Sequence, residues 1–296
     1  MSFSSERFTG DRGPLGHSIA FVLAGGQSRR MGRDKLTLAV SKHRDEVHLT
    51  GRDDVLLTGR NQVHPTARDE VHLTGQPETI LEHVVKVVRA VADVVWILTP
   101  PEHALAANDF EQGSDLRSLA DDEFYQGPLA AIARAWPRAV DAIADDMLQA
   151  ESRADSVDCV FVVAGDLPGI EPDVLRACRD RLRSEAPSVD AVLTEREGML
   201  QPLLGCYRAR AGQAFAAAFS NGDKRLFQAV QALRVETVSS DVQGWSKWAT
   251  RPVHTPEDYA EWLNEADRRE ESARSGKEPL KSGEKPLKFG CDRFQG

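Results

Sequence analysis

Between Leu23 and Lys35 the sequence reads LAGGQSRRMGRDK, thirteen residues that hold three glycines, one serine, three arginines and one lysine. A segment of this kind suits an anion. Gly25, Gly26 and Gly32 let the backbone turn sharply and bring its N–H groups against a phosphate, while Arg30 and Lys35 supply positive charge to phosphate oxygens. The same composition also describes a plain glycine-rich turn carrying surface cations. The spacing is neither GxxxxGKS/T nor GxGxxG, so the kinase-type and dinucleotide fingerprints do not apply. A second cluster, VVAGDLPGI, sets Asp166 after a run without polar residues from Val160 to Ala164 and two residues ahead of a proline. A carboxylate at the carboxyl end of a buried strand is well placed to hold Mg²⁺, which prefers oxygen ligands and keeps waters and substrate phosphates around it. The alternative is a turn, or a cap for the helix that starts near Pro172.

These groups need a scaffold, and the apolar pattern supplies one. IAFVL at 19–23, VVWIL at 94–98, CVFVVA at 159–164 and AVL at 191–193 have the continuous apolar character of strands buried on both faces. Helical patterns separate them at 78–92, 128–140 and 172–185. The alternation predicts an α/β fold: a Rossmann-like, doubly wound, mostly parallel sheet with helices on both faces, in one domain. Ligands of such sheets lie beyond the carboxyl ends of the strands, where both clusters fall.

The glycine-rich segment resembles the LAGGxSxRMGxDK signature of the molybdenum cofactor guanylyltransferase (MobA) family, within the nucleotidyltransferases of the nucleotide-diphospho-sugar transferase-like fold. The match runs through Leu23, Ala24, Gly25, Gly26, Ser28, Arg30, Met31, Gly32, Asp34 and Lys35. GDLP at Asp166 resembles the family's magnesium-binding motif. Asp121, in DDEFYQGPLAAI, resembles the aspartate that contacts the bound nucleotide, with Asp122 as the neighbouring alternative. Gln201 and Pro202, in LQPLLGCYR, resemble the QPL segment on the acceptor side, and TPEDY at 255–259 resembles an NTPEDL element.

The resemblance implies an enzyme that moves GMP from GTP onto the terminal phosphate of molybdopterin, with Mg²⁺ on Asp166. An acceptor phosphate oxygen would attack the α-phosphorus and pyrophosphate would leave, Lys35 and Arg30 compensating the charge that develops. It also implies transient docking with molybdoenzymes or with the proteins that insert the cofactor into them. Rival readings are the cytidylyltransferase of molybdopterin, another small-molecule nucleotidyltransferase, and a catalytically silent nucleotide-binding module. The chain departs from the pattern at His254, where the family commonly has Asn, and at Ala131, which replaces the second glycine of GPLAG. Two insertions also set it apart: an octapeptide repeat, and an acidic stretch at 141–157.

The repeat reads RDEVHLTG at 44–51, RDDVLLTG at 52–59, RNQVHPTA at 60–67 and RDEVHLTG at 68–75. Eight residues are too few for a solenoid unit of about 20 or more, so the segment 41–77 reads as an expanded surface loop. His48, His64 and His72 leave a metal reading open, but histidines so widely spaced in a repeat read first as part of a solvated loop. The N-terminal residues 1–17 read as flexible. The tail from 267 to 296 is rich in Lys, Glu, Gly and Ser, and reads as disordered.

Over 296 residues the net charge is −9, which argues against non-specific wrapping of nucleic acid. No apolar run reaches the roughly 20 residues that span a bilayer, and the N-terminus lacks a signal-peptide core, so a cytoplasmic setting is expected. The four cysteines form no CxxC pair, and neither a disulfide framework nor a zinc cluster is expected.

Overall fold

The computed structural model describes residues 17–25, 31, 34–41, 78–100, 115–120, 126–149 and 157–275. Seven strands form one sheet: β1 (Ser18–Leu23), β2 (Val94–Thr99), β3 (Leu116–Ala120), β4 (Cys159–Ala164), β5 (Ala191–Arg196), β6 (Met199–Tyr207) and β7 (Val235–Ser239). Their spatial order is β3-β2-β1-β4-β6-β5-β7, and all run parallel except β6, which is antiparallel to both neighbours.

Strand alternation sends side chains to two cores. Ile19 and Phe21 of β1 join Val160 and Val162 of β4 on one face, while Ala20 and Val22 join Phe161 and Val163 on the other. Helices cover both faces. On the first lie α2 (Pro128–Gln149), α4 (Ala211–Ser220) and α5 (Leu226–Gln231). On the second lie α1 (Ile80–Arg89), α3 (Pro172–Ser184) and the C-terminal helix α8 (Pro256–Ser275). Two single turns, α6 (Ser240–Gln243) and α7 (Lys247–Thr250), connect β7 to α8. The expected doubly wound, mostly parallel sheet is therefore what the chain forms.

The helix ends are written locally. Thr79 and Glu82 make a reciprocal capping box at α1, Pro172 sits at the first turn of α3, and Thr255 and Asp258 exchange backbone–side-chain bonds at the start of α8. Two differences from the sequence reading follow from helix propensity. α2 continues to Gln149, through the first half of the acidic insertion, because DAIADDMLQ is rich in good helix formers and buries Ile143. α8 runs to Ser275, past the tail boundary expected at 267, with Arg269 paired to Glu265 one turn back at 3.1 Å. Residues 276–296 and the repeat lie outside the described residues.

Cys159, Cys178 and Cys206 are buried free thiols, and burial pushes the Cys178 thiol up to about 12, so it stays protonated and unreactive. Among the described residues no group of three or more His, Cys, Asp or Glu side chains is arranged to hold a metal, and no helix is long and apolar enough to cross a membrane.

Candidate active site

Strands β1 and β4 are direct neighbours and end in register, Leu23 opposite Ala164. The glycine-rich turn and the GDLP turn consequently leave the sheet side by side. Gly165 bonds its N–H to the Leu23 carbonyl at 3.0 Å, and a Cβ on Gly165 would lie 2.8 Å from that same oxygen. Only glycine lets the two turns approach this closely. Ala24 is buried, its N–H donating to the Leu98 carbonyl at 2.8 Å. Met31, from the middle of the glycine-rich segment, is also buried and anchors it in the core.

Lys35 opens a short 3₁₀ turn, Lys35–Thr37, whose preceding Asp34 accepts the Leu36 N–H at 3.0 Å. This turn aims the ammonium of Lys35 at the carboxylate of Asp166, with which it forms an ion pair through Oδ2. Both side chains are largely buried, 14% and 10% exposed, so the pair is shielded from bulk water. The same oxygen lies 3.7 Å from Nδ1 of His254, and the Asp166 carbonyl accepts the Val253 N–H at 3.0 Å.

Around this pair opens a cavity of about 330 Å³. Leu23, Gly25, Lys35 and Asp166 line one side, Thr99 and Pro100 come from the end of β2, Gly127 and Pro128 from the start of α2, and Leu203 from β6. Among the described residues, its charged lining groups are three cations, Lys35, Arg134 and Arg138, and one anion, Asp166. In a chain of net charge −9, that local excess selects for an anionic ligand. Arg134 is held in place by Gln126, whose Oε1 accepts from Nη2 at 3.2 Å, and by the Phe219 ring at 5.2 Å.

Of the residues singled out from sequence, Leu23, Gly25, Lys35 and Asp166 meet at this cavity, with Ala24 just beneath it. Gln201 and Pro202 sit where the β5–β6 register breaks, pairing passing from Leu193 with Gly205 to Thr194 with Gln201. There the Gln201 side chain is engaged on both ends: its Oε1 accepts from the Thr194 hydroxyl at 2.9 Å and its Nε2 donates to the Thr250 carbonyl at 3.0 Å. It is the adjacent Leu203 that faces the cavity. Gly26, Ser28, Arg30, Gly32 and Asp121 lie outside the described residues.

Three contributors escaped the sequence reading. Arg134 and Arg138 are four apart on α2, a spacing that puts both on one helical face. The Thr99 hydroxyl is buried without a hydrogen-bond partner among the described residues, and nothing in the sequence marks it.

The donors present fit a divalent cation. One carboxylate at a strand end, with an imidazole beside it, leaves most coordination positions to water and substrate phosphates, the usual manner of Mg²⁺. Asp166 would be the primary ligand.

The MobA-like NTP transferase domain matches residues 66–237, more than half of the chain and a span that contains Asp166 and β6. A probable molybdenum cofactor guanylyltransferase of Synechococcus elongatus is 27% identical over 209 residues, covering 71% of this chain and 80% of that protein. Among solved structures, the molybdopterin-guanine dinucleotide biosynthesis protein A of Archaeoglobus fulgidus superposes with a TM-score of 0.55 at 16% identity, over 84% of this chain and 99% of that one. The 4-diphosphocytidyl-2C-methyl-D-erythritol synthase of Anaerococcus prevotii does so with a TM-score of 0.53 at 10% identity, over 86% and 97%. Both share the fold. With its sheet order, its paired turns at the ends of β1 and β4 and a domain match over more than half its length, the chain belongs to the MobA-like NTP transferase family and is a nucleotidyltransferase.

Proposed function

We propose that the protein transfers GMP from GTP to the terminal phosphate of molybdopterin, giving molybdopterin guanine dinucleotide and pyrophosphate. The observation that carries this reading is the Lys35–Asp166 pair, which lines a cavity together with Arg134 and Arg138 beside the glycine turn that ends β1. The choice of guanine and of molybdopterin is supported by the name of the Synechococcus elongatus relative and by the LAGG and RDK residues of the glycine-rich segment.

In this proposal the triphosphate lies against the amides of Gly25, Gly26 and Gly32, with Leu23, Ala24 and Ser28 completing the turn and Asp121 contacting the nucleoside. A phosphate oxygen of the acceptor attacks the α-phosphorus, the bond from that phosphorus to the bridging oxygen breaks, and pyrophosphate departs. The nucleophile is already an anion, so no general base is needed, and catalysis rests on alignment and charge neutralisation. Lys35 and Arg30 balance the charge that moves onto pyrophosphate. Arg134 and Arg138 add positive charge along the α2 wall, and Gln201 and Pro202 shape the acceptor side from which Leu203 projects. A divalent cation, Mg²⁺ by expectation from the sequence, would be held by Asp166 and would supply further neutralisation of the phosphate oxygens.

In this reading the protein works in the cytoplasm and delivers the dinucleotide to molybdoenzymes or cofactor-insertion proteins.

The test is direct: incubate the protein with molybdopterin, Mg²⁺ and each NTP in turn, and identify products by mass. The guanine dinucleotide with one equivalent of pyrophosphate is expected from GTP alone. The cytosine dinucleotide from CTP would reassign the base, and no dinucleotide from any NTP would overturn the reading.

A further inference from the structure

Transfer from a triphosphate to a phosphorylated acceptor brings two polyanions into one cleft, and each needs its own seat. Lys35 and the glycine turn of β1 make the first. Arg134 and Arg138 reach the same cavity from a different element, the helix α2. The surroundings of Arg134 belong to the β6–α4–α5 half of the sheet. Its guanidinium lies over the Phe219 ring of α4 at 5.2 Å, and α4 follows β6, whose Leu203 lines the cavity. At the head of α2, a Cβ built on Gly127 would stand 3.4 Å from the Lys224 carbonyl oxygen, in the turn between α4 and α5. The strand order β1-β4-β6 then sets Asp166, at the end of β4, between the glycine turn and the strand that bears Leu203.

The Arg134 side chain is built for a planar contact. Its plane is held by the Phe219 ring and by Gln126, whose Oε1 accepts from Nη2 at 3.2 Å. A guanidinium carries five N–H donors in a fixed fork, enough to serve Gln126 and two oxygens of one phosphate together. Leu23, Leu36, Leu98, Leu119 and Leu203 supply much of the remaining wall, so charge attraction there is less screened than in water. Arg138 lies one helical turn beyond Arg134 and is exposed. Two guanidinium groups at that spacing repel each other, and a doubly charged anion beside them relieves the repulsion. Resting on the reading above that the protein transfers a nucleotidyl group to a phosphorylated acceptor, we propose that Arg134 and Arg138 seat the acceptor's attacking phosphate monoester. Arg134 makes the bidentate contact and Arg138 adds charge at the rim, while the triphosphate stays with Lys35.

The experiment uses the full-length protein loaded with Mg²⁺ and a GTP analogue carrying a non-hydrolysable α,β-methylene bridge. Phenyl phosphate, a monoester without the rest of the acceptor, is titrated in and followed by ligand-observed proton NMR. Wild type should bind it alongside the analogue. Arg134→Ala should weaken phenyl phosphate at least about tenfold, the scale of losing a charge-assisted hydrogen bond, with the affinity for the analogue within about twofold of wild type. Arg134→Lys, which keeps the charge without the fork, should recover part of the loss. No phenyl phosphate on the analogue-loaded wild type, equal affinity in Arg134→Ala, or an equal weakening of the analogue would each overturn the proposal. If the analogue itself fails to bind the wild type, the nucleotide reading falls. Phenyl phosphate titrated into the protein alone then still decides the role of Arg134: a tenfold loss in Arg134→Ala supports the seat, and no loss removes it.

Discussion

Lys35 and Asp166, 131 residues apart in sequence, form an ion pair across the ends of two adjacent parallel strands. The pair joins the glycine-rich turn to the carboxylate that a metal would use, and it supplies the first prediction. Asp166→Ala should lower kcat by at least about a hundredfold, roughly 2.7 kcal/mol, the scale of losing one well-placed electrostatic group. Near-normal turnover at saturating Mg²⁺ or Mn²⁺ would remove Asp166 from the site. Circular dichroism of Asp166→Asn, which keeps the side-chain volume, separates this from loss of fold.

Lys35→Ala is expected to weaken GTP binding and slow transfer together, because the ammonium serves the triphosphate in the ground state and the leaving pyrophosphate afterwards. Equilibrium binding of the non-hydrolysable analogue gives the first effect and single-turnover rates give the second. A change confined to the KM for molybdopterin would place Lys35 on the acceptor instead.

Gly165 tests the geometry rather than the chemistry. A methyl group there meets the Leu23 carbonyl oxygen at 2.8 Å, and neither the β1 backbone nor the β4 turn can yield without parting the strands. Gly165→Ala should destabilise the protein by roughly 1–3 kcal/mol, as overpacking does elsewhere. It should also reduce turnover by moving Asp166 away from the glycine turn. Urea denaturation and steady-state rates measure the two; a fully stable and active variant would show that the close approach is dispensable.

The sequence made the central layer readable because buried parallel strands carry uninterrupted apolar runs. β1, β2 and β4 lie within a residue or two of their expected bounds. The peripheral strands were silent for physical reasons. β3 is an edge strand with alternating exposure, and β7 at the opposite edge buries only Val238 fully. β6, an interior strand, carries Pro202 within its span, which is tolerated where the β5–β6 register breaks and donates nothing to the ladder. At the site, Lys35 and Asp166 each stood out by motif, but their contact depends on the register of β1 against β4. His254 was marked by the resemblance, as the position where the family commonly has Asn, but its approach to Asp166 depends on the Val253 bond to the Asp166 carbonyl. No local pattern encodes a long-range bond of that kind.

Asp258 links pH to the order of the His254 segment. Its burial works to raise the carboxyl pKa, but the amides of His254 and Thr255 and the Arg251 guanidinium together outweigh it and hold the group below its ordinary value. A depressed folded pKa means that the stabilisation is complete above the unfolded carboxylate value, near pH 4, and is lost as pH falls through the lower folded value. Asp258→Ala should therefore lose about 1 kcal/mol at neutral pH, the scale of a helix cap. The gap between wild type and variant, read from urea midpoints, should stay constant between roughly pH 5 and 8 and narrow below about pH 4. A gap independent of pH down to 2 would mean that the carboxylate charge contributes nothing.

The insertion that separates the glycine turn from α1 is expected to be removable, and the structure supplies a reason. Its two ends are already joined: Ala39 bridges Thr79 in antiparallel fashion, Val40 N–H donates to the Glu78 carbonyl at 3.0 Å, and Ile80 N–H to the Leu38 carbonyl at 2.8 Å. The first of these ends is also tied to α8, where Tyr259 and Trp262 donate to the carbonyls of Ala39 and Val40, both at 2.8 Å. A two-residue turn in place of 42–77 can therefore close what is in effect a short hairpin, without moving Lys35 or Thr79. Loop-closure entropy grows only logarithmically with length, so this shortening should raise stability by no more than about 2–3 kcal/mol. Nucleotide transfer should persist within a fewfold of wild type. A deletion variant that folds with native circular dichroism, binds the GTP analogue and yet transfers nothing would show instead that the repeat takes part in holding the acceptor.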